Sequence, residues 1–169
     1  FAGIGGFDLG FERAGMICQW QVEIDEFCRR VLAKHWPAAV RHDDVRTFPP
    51  GSTEEWKVDV ICGGFPCQDI SLAGKGAGIE GERSGLWAEF ARIVRLLRPR
   101  FVVVENVGHL PHRGLPRVLK DLADMGFDAE WAVLPATAIG ALHLRPRLFV
   151  VAYPERNGRD RLHEREQAG

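Results

Sequence analysis

The sequence predicts an α/β fold in which a mostly parallel sheet carries helices on both faces. Short apolar runs alternate along the chain with segments whose apolar residues recur at the spacing of an amphipathic helix. Several of these runs end abruptly in glycine or in a polar residue, as strands do at the carboxyl edge of an open α/β sheet, where ligands bind. The length of 169 residues and the 46% hydrophobic content suit one domain with a sizeable core.

Charge and cysteine content narrow the classes of protein to consider. The net charge of -1 carries no global signature of a nucleic-acid binder, so any such binding has to come from local arginines or from further protein. The four cysteines have no Cys-x-x-Cys spacing, and the sequence has neither a signal-peptide pattern nor a long apolar run. We therefore expect reduced thiols in a cytoplasm, without disulfides, a metal site or contact with a membrane.

The chain opens on a glycine-rich turn at residues 1–6, which leads into a helix that Gly15 ends. Glycines let a ligand approach the backbone closely, and the following helix N-terminus offers free N–H groups. The turn lacks the complete Gly-x-Gly-x-x-Gly spacing of dinucleotide sites, so an ordinary tight turn is an equal alternative. Such turns normally follow a strand, and we therefore expect the first strand to be truncated and the chain to be a fragment.

Two acidic residues follow the next two predicted strands. A strand over residues 16–23 ends at Glu23, where a carboxylate is well placed to hold ribose hydroxyls, and a solvated strand end is the alternative. Asp25 is then the predicted N-cap of a helix over Glu26 to His35. A third, short strand precedes Asp44, which could accept a hydrogen bond from an adenine amino group or simply occupy a surface loop.

A strand over Val58 to Cys62 ends in two glycines and a Phe-Pro-Cys-Gln segment, which places Cys67 in an exposed loop at the same edge. Cys67 is therefore the candidate nucleophile, and it needs nearby cations and an acid or base because only the thiolate is reactive. The other three cysteines are predicted to pack as small buried apolar residues. The five glycines between Ser71 and Gly85 predict a mobile loop that closes over a substrate.

Two further helices are predicted from apolar residues at helical spacing. The helix from about Ser84 to Leu97 has one apolar stripe, which we expect to be core. Its arginines, Arg92, Arg95 and Arg98, are expected to form a solvated face. The second helix covers residues 115–125 and is stopped by the following glycine.

Charged residues mark the ends of two more apolar strands. The strand Phe101 to Val104 runs directly into Glu105, and pairing of sequence neighbours would put this carboxylate one strand away from Cys67; an acidic surface terminus is the alternative. Arg145 and Arg147 stand at the start of the last apolar strand, where they could hold an oxyanion or a base carbonyl. From residue 154 onward the chain is polar, and we expect this tail to be poorly ordered or to begin a further region.

These motifs, in this order, resemble those of the C5-cytosine-specific DNA methyltransferases. The resemblance spans most of the chain up to about residue 152, and the combination of motifs is very specific. It implies a Rossmann-like S-adenosylmethionine-dependent methyltransferase fold with an antiparallel last strand. It also implies an incomplete catalytic domain at residues 1–153 and a polar tail at residues 154–169 that starts a target-recognition region. The matching motifs are Phe1-Ala2-Gly3-Ile4-Gly5-Gly6, Glu23, Asp44, Gly64-Phe65-Pro66-Cys67-Gln68, Glu105-Asn106-Val107 and Arg145-Pro146-Arg147.

The resemblance implies S-adenosyl-L-methionine as the cofactor. The glycine turn would cradle the methionine part, Glu23 would hold the ribose hydroxyls, and Ile24 would lie against the adenine. Asp44 would accept a hydrogen bond from the adenine amino group. The full set of implied cofactor-binding residues is Phe1, Gly3, Ile4, Gly5, Gly6, Glu23, Ile24, Asp44, Val45, Pro66 and Leu86.

The resemblance also implies the chemistry. Cys67 would add to C6 of a cytosine that is flipped out of duplex DNA, which makes C5 able to attack a methyl group. Glu105 would protonate or hydrogen-bond N3 and the exocyclic amine of the base. Arg147 would contact O2, and Arg145 would orient the site and favour the thiolate. Substrate contacts are implied for Phe65, Gln68, Ser71 and Asn106.

Alternatives to a DNA methyltransferase stay open from sequence. The same chemistry could act on cytosine in RNA, and a truncated remnant without activity could keep the same fold. A flavin or nicotinamide oxidoreductase would fit the glycine turn but leaves Cys67 and the two arginines unexplained. His143 and Leu142 depart from the residues common in the arginine motif, although neither is assigned to the chemistry. We expect a monomeric bacterial or phage protein that acts on double-stranded DNA, with any cognate restriction endonuclease acting separately.

Overall fold

The computed structural model describes residues 1–65, 85–108 and 114–155. Helices and strands alternate through these ranges, and no helix within them is long and apolar enough to cross a membrane. The last strand ends at Pro154, so the predicted tail from residue 156 onward lies outside the described residues. The elements are α1 (Gly6–Arg13), β1 (Trp20–Val22), α2 (Glu26–His35), β2 (Val40–His42), β3 (Val60–Gly63), α3 (Gly85–Leu97), β4 (Phe101–Val107), α4 (Leu115–Asp124), β5 (Phe127–Leu134) and β6 (Arg147–Pro154).

Local sequence signals set several helix ends. The Asp25 side chain accepts a hydrogen bond of 2.8 Å from the backbone N–H of Cys28, which confirms it as the N-cap of α2. After α1 and α4 the chain turns at Gly15 and Gly126, whose φ angles are +86° and +81°. Residues with a side chain rarely adopt this left-handed backbone conformation, so glycine can end a helix there at little cost in free energy.

The strands form one two-stranded and one four-stranded sheet. In the first, β1 and β2 run parallel. The second has the order β3-β4-β6-β5, in which β3 and β4 are parallel and β6 runs antiparallel to both of its neighbours. The predicted α/β class and the antiparallel last strand are confirmed, and the position of β6 between β4 and β5 makes the larger sheet mixed.

The core lies between the four-stranded sheet and the helices beside it. Side chains alternate along β4, so that Val102 and Val104 are fully buried while the residues between them are only partly covered. The apolar stripe of α3 is core as predicted, and its buried members are Trp87, Phe90, Ala91, Ile93, Val94 and Leu97.

The prediction that Arg92, Arg95 and Arg98 form a solvated face is wrong for Arg92, which is partly buried, while Arg95 and Arg98 are exposed. The guanidinium of Arg92 donates to the carbonyl oxygens of Val45 (2.9 Å) and Phe48 (2.6 Å). The guanidinium of Arg98 donates to Met125 O (2.6 Å) and lies over the ring of Phe127. Helical periodicity identifies the outward side of a helix, but a long side chain can still reach backbone oxygens of neighbouring elements.

The prediction that the three cysteines other than Cys67 pack as buried apolar residues also needs correction. Cys18, Cys28 and Cys62 are free thiols that remain partly accessible. Cys18 donates to the Asp8 carboxylate at 3.0 Å, so its thiol serves as a polar group. Burial, aided at Cys18 by the hydrogen bond to Asp8, raises the pKa of Cys18 and of Cys62 to about 12, which keeps both protonated near neutrality.

Candidate active site

A cavity of about 1060 Å³ opens at the carboxyl ends of β1, β2, β3 and β4. The start of α1 and the start of α3 complete its walls. This is the edge at which open α/β sheets bind ligands. Nine of the residues implied to bind a cofactor line it, namely Phe1, Gly3, Ile4, Gly6, Glu23, Ile24, Asp44, Val45 and Leu86.

We distinguish two ends of this cavity. The acidic-turn end consists of Gly3, Glu23, Ile24, Asp44 and Val45, which lie in the turns after β1 and β2 and in the glycine turn beside them. The ion-pair end consists of Gly64, Glu105 and Arg145, which line the cavity near the ends of β3 and β4, and of Arg147, which pairs with Glu105 at the start of β6 without lining the cavity itself.

The carboxylate of Glu23 holds the glycine turn against the end of β1. One oxygen accepts from the backbone N–H of Gly3 at 2.7 Å, and the other accepts from the N–H of Asp25 at 3.0 Å. The N–H of Ala2 donates to Val22 O at 3.2 Å and fastens the same turn. Each carboxylate oxygen can accept a second hydrogen bond, so Glu23 keeps capacity for a hydroxyl ligand.

Gly5 occupies a different place from the other glycines of the turn. Its φ angle is +90°, and a Cβ at this position would overlap the ring of Trp36 at the end of α2. Gly5 is not among the residues that line the cavity. Gly5 therefore has a packing role that brings the turn close to α2, and its implied contact with a cofactor stays a prediction.

Asp44 lines the cavity but is already engaged by Arg46. Its two carboxylate oxygens accept from the guanidinium of Arg46 at 2.8 to 3.1 Å, and one also accepts from the Arg46 N–H at 2.9 Å. These hydrogen bonds hold the pKa of Asp44 below its ordinary value, so the group is a carboxylate at neutral pH. A ligand amino group at Asp44 would have to share an oxygen with Arg46.

Apolar side chains line the cavity at the acidic-turn end and beside it. Ile4 is 60% and Ile24 66% exposed, although both are large aliphatic residues. Val45 and Leu86 also line the cavity, from the turn after β2 and from the first turn of α3. Concave sites with apolar walls and a few placed polar groups are typical of small-molecule pockets.

Glu105 and Arg147 form the centre of the ion-pair end. Arg147 Nε lies 2.8 Å from Glu105 Oε1, and both side chains are about three-quarters buried, with 25% and 29% of their surface exposed. The pair forms because β4 and β6 are antiparallel, with Val107 opposite Arg147. Strand pairing thereby brings together two residues that the sequence predicts to act at one site.

Gly64 has no side chain, and the Glu105 carboxylate occupies the space that a side chain at this position would need. A Cβ built on Gly64 would lie 2.8 Å from Glu105 Oε2 and 3.4 Å from Glu105 O. This need for glycine was not apparent from the sequence, where the two glycines before Phe65 read only as a turn. Arg145 lines the same part of the cavity and has a φ angle of +33°, a conformation rare for a residue with a side chain.

Phe65 and Asn106 are interior residues, and their implied contact with substrate stays a prediction. Each is only 3% exposed. Asn106 Nδ2 donates to Phe65 O at 2.9 Å, and Asn106 Oδ1 accepts from the N–H of Val107 at 2.8 Å. The Phe65 ring packs on Trp87 of α3. Together these contacts fix the backbone from which the Cys67 segment departs.

Several predicted site residues lie outside the described residues. These are Cys67, the implied substrate contacts Gln68 and Ser71, the implied cofactor contact Pro66, and the glycine-rich segment between Ser71 and Gly85 apart from its last residue. Their roles stay predictions. The described residues that flank them, Phe65 and Gly85, lie beside the ion-pair end and on the cavity wall respectively.

The fold and the cavity define a Rossmann-like methyltransferase class. The structure of DNMT2 from Spodoptera frugiperda superimposes with a TM-score of 0.73 at 19% identity, covering 94% of this chain and 49% of that chain. A proposed DNA modification methyltransferase encoded within an E. coli prophage superimposes with a TM-score of 0.74 at 26% identity, covering 91% of this chain and 45% of that chain.

Sequence comparison identifies the family within that class. A model of the C-5 cytosine-specific DNA methylase family matches residues 1–167. The chain therefore belongs to this family, and the resemblance drawn from its motifs is confirmed.

Curated relatives agree with the family assignment. Type II methyltransferase M.HgiBI of Herpetosiphon aurantiacus is 33% identical over 163 residues, which cover 92% of this chain and 36% of the relative. Type II methyltransferase M.CviJI of a Paramecium bursaria Chlorella virus is 35% identical over 153 residues, which cover 90% of this chain and 41% of the relative. The chain thus spans about two fifths of the length of these relatives.

Proposed function

We propose that the protein transfers a methyl group from S-adenosyl-L-methionine to C5 of cytosine in double-stranded DNA. The observation that carries the proposal is the position of Glu105. Its carboxylate, paired with Arg147, lines the same cavity as Glu23 and Asp44, so an acid suited to a pyrimidine ring and carboxylates suited to a nucleoside share one space.

The residues of the cavity fit S-adenosylmethionine. The cofactor carries positive charge on its sulfonium and its ammonium, and among the described residues the cavity is lined by five carboxylates against two arginines, Arg46 and Arg145. Glu23 would hold the ribose, Ile24 and Val45 would enclose the adenine, and the glycine turn would hold the methionine part. When bound, the cofactor supplies an electrophilic methyl group. The carboxylates that line the cavity are Glu23, Asp43, Asp44, Glu89 and Glu105.

The proposed reaction assigns the nucleophile to Cys67 and the acid to Glu105. The Cys67 thiolate forms a bond to C6 of the cytosine, and the electrons of the C5–C6 double bond make C5 nucleophilic. Glu105, after taking up a proton, donates it or a hydrogen bond to N3 and so stabilises the negative charge that the addition places on the ring. Methyl transfer to C5 would leave S-adenosylhomocysteine; the C5 proton then passes to water, N3 returns its proton to Glu105, and the restored double bond expels Cys67 as thiolate.

Arg147 has two roles in this proposal. Its Nε holds Glu105 in place, and Nη1 donates to Pro146 O at 2.9 Å, which fixes the direction of the guanidinium. The remaining N–H groups can donate to O2 of the base. Because the reacting atoms are buried in a duplex, the target base has to be flipped out, at a cost of a few kcal/mol.

The family description names DNA, which favours a DNA substrate over the RNA alternative. The relatives are Type II methyltransferases, which supports a role in restriction-modification. A cognate restriction endonuclease, the monomeric state, the cytoplasmic location and a bacterial or phage source remain predictions.

Covalent trapping tests the proposal. The full-length protein is incubated with S-adenosylmethionine and random-sequence DNA duplexes that carry 5-fluorocytosine, and the products are separated on a denaturing gel. Fluorine at C5 blocks the final loss of the proton, so we expect a stable protein–DNA band that disappears in Cys67→Ala. Cys28→Ala, which removes a thiol on α2 away from the cavity, should retain the band.

Other outcomes would replace the proposal. A band with fluorinated RNA but none with DNA would make the protein an RNA methyltransferase. Absence of a band on either polymer, in a protein that still binds S-adenosylhomocysteine, would indicate an inactive remnant.

A further inference from the structure

We propose that Arg92 is a positioning residue that sets the width of the acidic-turn end of the cavity and thereby the affinity for the cofactor. The inference rests on the proposed function, because it takes that end to hold the adenosine. Arg92 is not among the residues that line the cavity, so its effect would pass through the groups it holds.

Arg92 joins three groups from two different walls. Its Nη2 donates to Val45 O at 2.9 Å and to Phe48 O at 2.6 Å, both in the turn after β2. Its Nε donates to Glu89 Oε2 at 2.6 Å, one helical turn earlier on α3. A guanidinium donates in a fixed planar geometry, and hydrogen bonds from a charged donor are stronger than neutral ones. A single side chain therefore fixes the spacing between this turn and α3.

The two walls that Arg92 connects carry opposing groups of the cavity. Asp44 and Val45 face it from the turn after β2, while Leu86 and Glu89 face it from α3. Leu86, Glu89 and Arg92 recur every third residue and so lie along one side of the helix. Arg92 is the next position beyond the cavity on that side, where it can brace both walls without occupying the ligand space.

The other hydrogen bonds of the segment held by Arg92 stay within it or reach the end of β2. Arg46 donates to Asp44, the N–H and hydroxyl groups of Thr47 donate to Asp44 O at 3.2 Å, and the Thr47 hydroxyl lies 2.8 Å from His42 Nε2. Val45 and Phe48 are buried in the core, so apolar packing also holds the segment. Removal of the guanidinium would therefore leave packing alone to set the distance between Val45 and α3.

Arg92 also controls a charge inside the cavity. Glu89 lines the cavity, and Arg92 is its ion-pair partner, with about a third of each side chain exposed. Without Arg92 this carboxylate would be released to rotate into the ligand space. Glu89→Gln separates the two effects, since it removes the charge while Arg92 keeps its bonds to Val45 and Phe48.

The test compares Arg92→Ala, Arg92→Lys and the matched control Arg95→Ala in the full-length protein. Arg95 lies three residues after Arg92 on α3. It is exposed and does not line the cavity, so its replacement tests only the loss of an arginine from this helix. Affinity for S-adenosylhomocysteine is measured by calorimetry at a temperature where melting curves show every variant to be folded. The KM for S-adenosylmethionine and kcat are measured in parallel.

We expect Arg92→Ala to weaken binding of S-adenosylhomocysteine about tenfold, as loss of charge-assisted hydrogen bonds does, and to raise KM by a similar factor. The kcat at saturating cofactor should stay within about twofold, because the ion-pair end is untouched. Arg92→Lys should recover part of the loss, Glu89→Gln should weaken binding less than Arg92→Ala, and Arg95→Ala should match the wild type.

A purely structural role predicts a different result. If Arg92→Ala lowers the melting temperature but the folded variant binds S-adenosylhomocysteine like the wild type, the inference is overturned and the proposed function stands. If the wild type itself binds no S-adenosylhomocysteine, the proposed function fails, and the inference fails with it.

Discussion

The two ends of the cavity are assembled in different ways. At the acidic-turn end, Glu23 and Asp44 directly follow β1 and β2, and their carboxylates bind backbone N–H groups of nearby turns. At the ion-pair end, Glu105 and Arg147 meet only because β6 pairs antiparallel with β4. One end depends on local turn geometry and the other on strand register, so substitutions at the two ends should affect binding and chemistry separately.

The largest difference between the effect on chemistry and the effect on cofactor binding is expected for Glu105→Gln. The amide keeps the shape of the side chain but cannot act as an acid, so covalent trapping should slow about 10²- to 10⁴-fold. Affinity for S-adenosylhomocysteine should change by less than about threefold, because the acidic-turn end is intact. Rapid-quench trapping and calorimetry measure the two quantities. A matching loss of cofactor affinity would show that the two ends are coupled.

Gly64→Ala should have a smaller effect at the same end. The new Cβ would lie 2.8 Å from Glu105 Oε2, so the carboxylate has to move. A displacement of roughly 1 Å in a catalytic group can cost about 10² in rate. Gly10→Ala on α1, where a Cβ would meet nothing within 4 Å, is the control and should leave trapping unchanged. Equal trapping by both alanine variants would show that the fit of Gly64 to Glu105 is irrelevant to rate.

Glu23→Gln should affect binding without affecting chemistry. The amide retains one oxygen acceptor in place of two, so one of the bonds from Gly3 and Asp25 is lost. We expect about tenfold weaker binding of S-adenosylhomocysteine and an unchanged rate at saturating cofactor. Glu26→Gln, which loses only an exposed ion pair with Arg30, should bind normally. A lowered saturating rate in Glu23→Gln would contradict the separation of the two ends.

The smallest effect is expected for alkylation of Cys18 and Cys62, two thiols outside the ion-pair end. Burial raises the pKa of Cys18 and Cys62 to about 12, above the ordinary thiol value, so each stays protonated until the pH nears 12. At pH 8 only about one in ten thousand of these groups is a thiolate. Iodoacetamide at pH 8 should therefore modify Cys67 before Cys18 and Cys62, as mass spectrometry of the digested protein would reveal. Faster labelling of Cys62 than of Cys67 would count against Cys67 as the activated thiol.

The sequence predicts much of the acidic-turn end because of a simple geometric rule. Parallel strands end at the same edge, so residues that come just after neighbouring strands, such as Glu23 and Asp44, have to lie near one another. Glu105 and the arginine motif were predicted to share a site only through the family resemblance. Confirmation of their contact required the register of β6, which no local pattern encodes.

The sequence could not predict which residues outside the cavity hold its walls in place. The family resemblance implies a substrate contact for Asn106, and only the structure shows that strand alternation places Asn106 in the core, where it donates to Phe65 O. Arg92 was read as solvated because it lies off the apolar stripe of α3. Its bonds to Val45 and Phe48 depend on how α3 packs on a distant turn, and hydrophobic periodicity contains no information about that packing.

The antiparallel placement of β6 also has a consequence for the order of folding. Glu23, Asp44 and the glycine turn precede Glu105 and Arg147 in the chain, so the contact of Glu23 with Gly3 and that of Asp44 with Arg46 can form earlier. The Glu105–Arg147 pair closes a loop that contains α4 and β5, so it can form only after β6 has been made and has inserted between β4 and β5. On the ribosome, the acidic-turn end of the cavity is therefore expected to take shape before the ion-pair end.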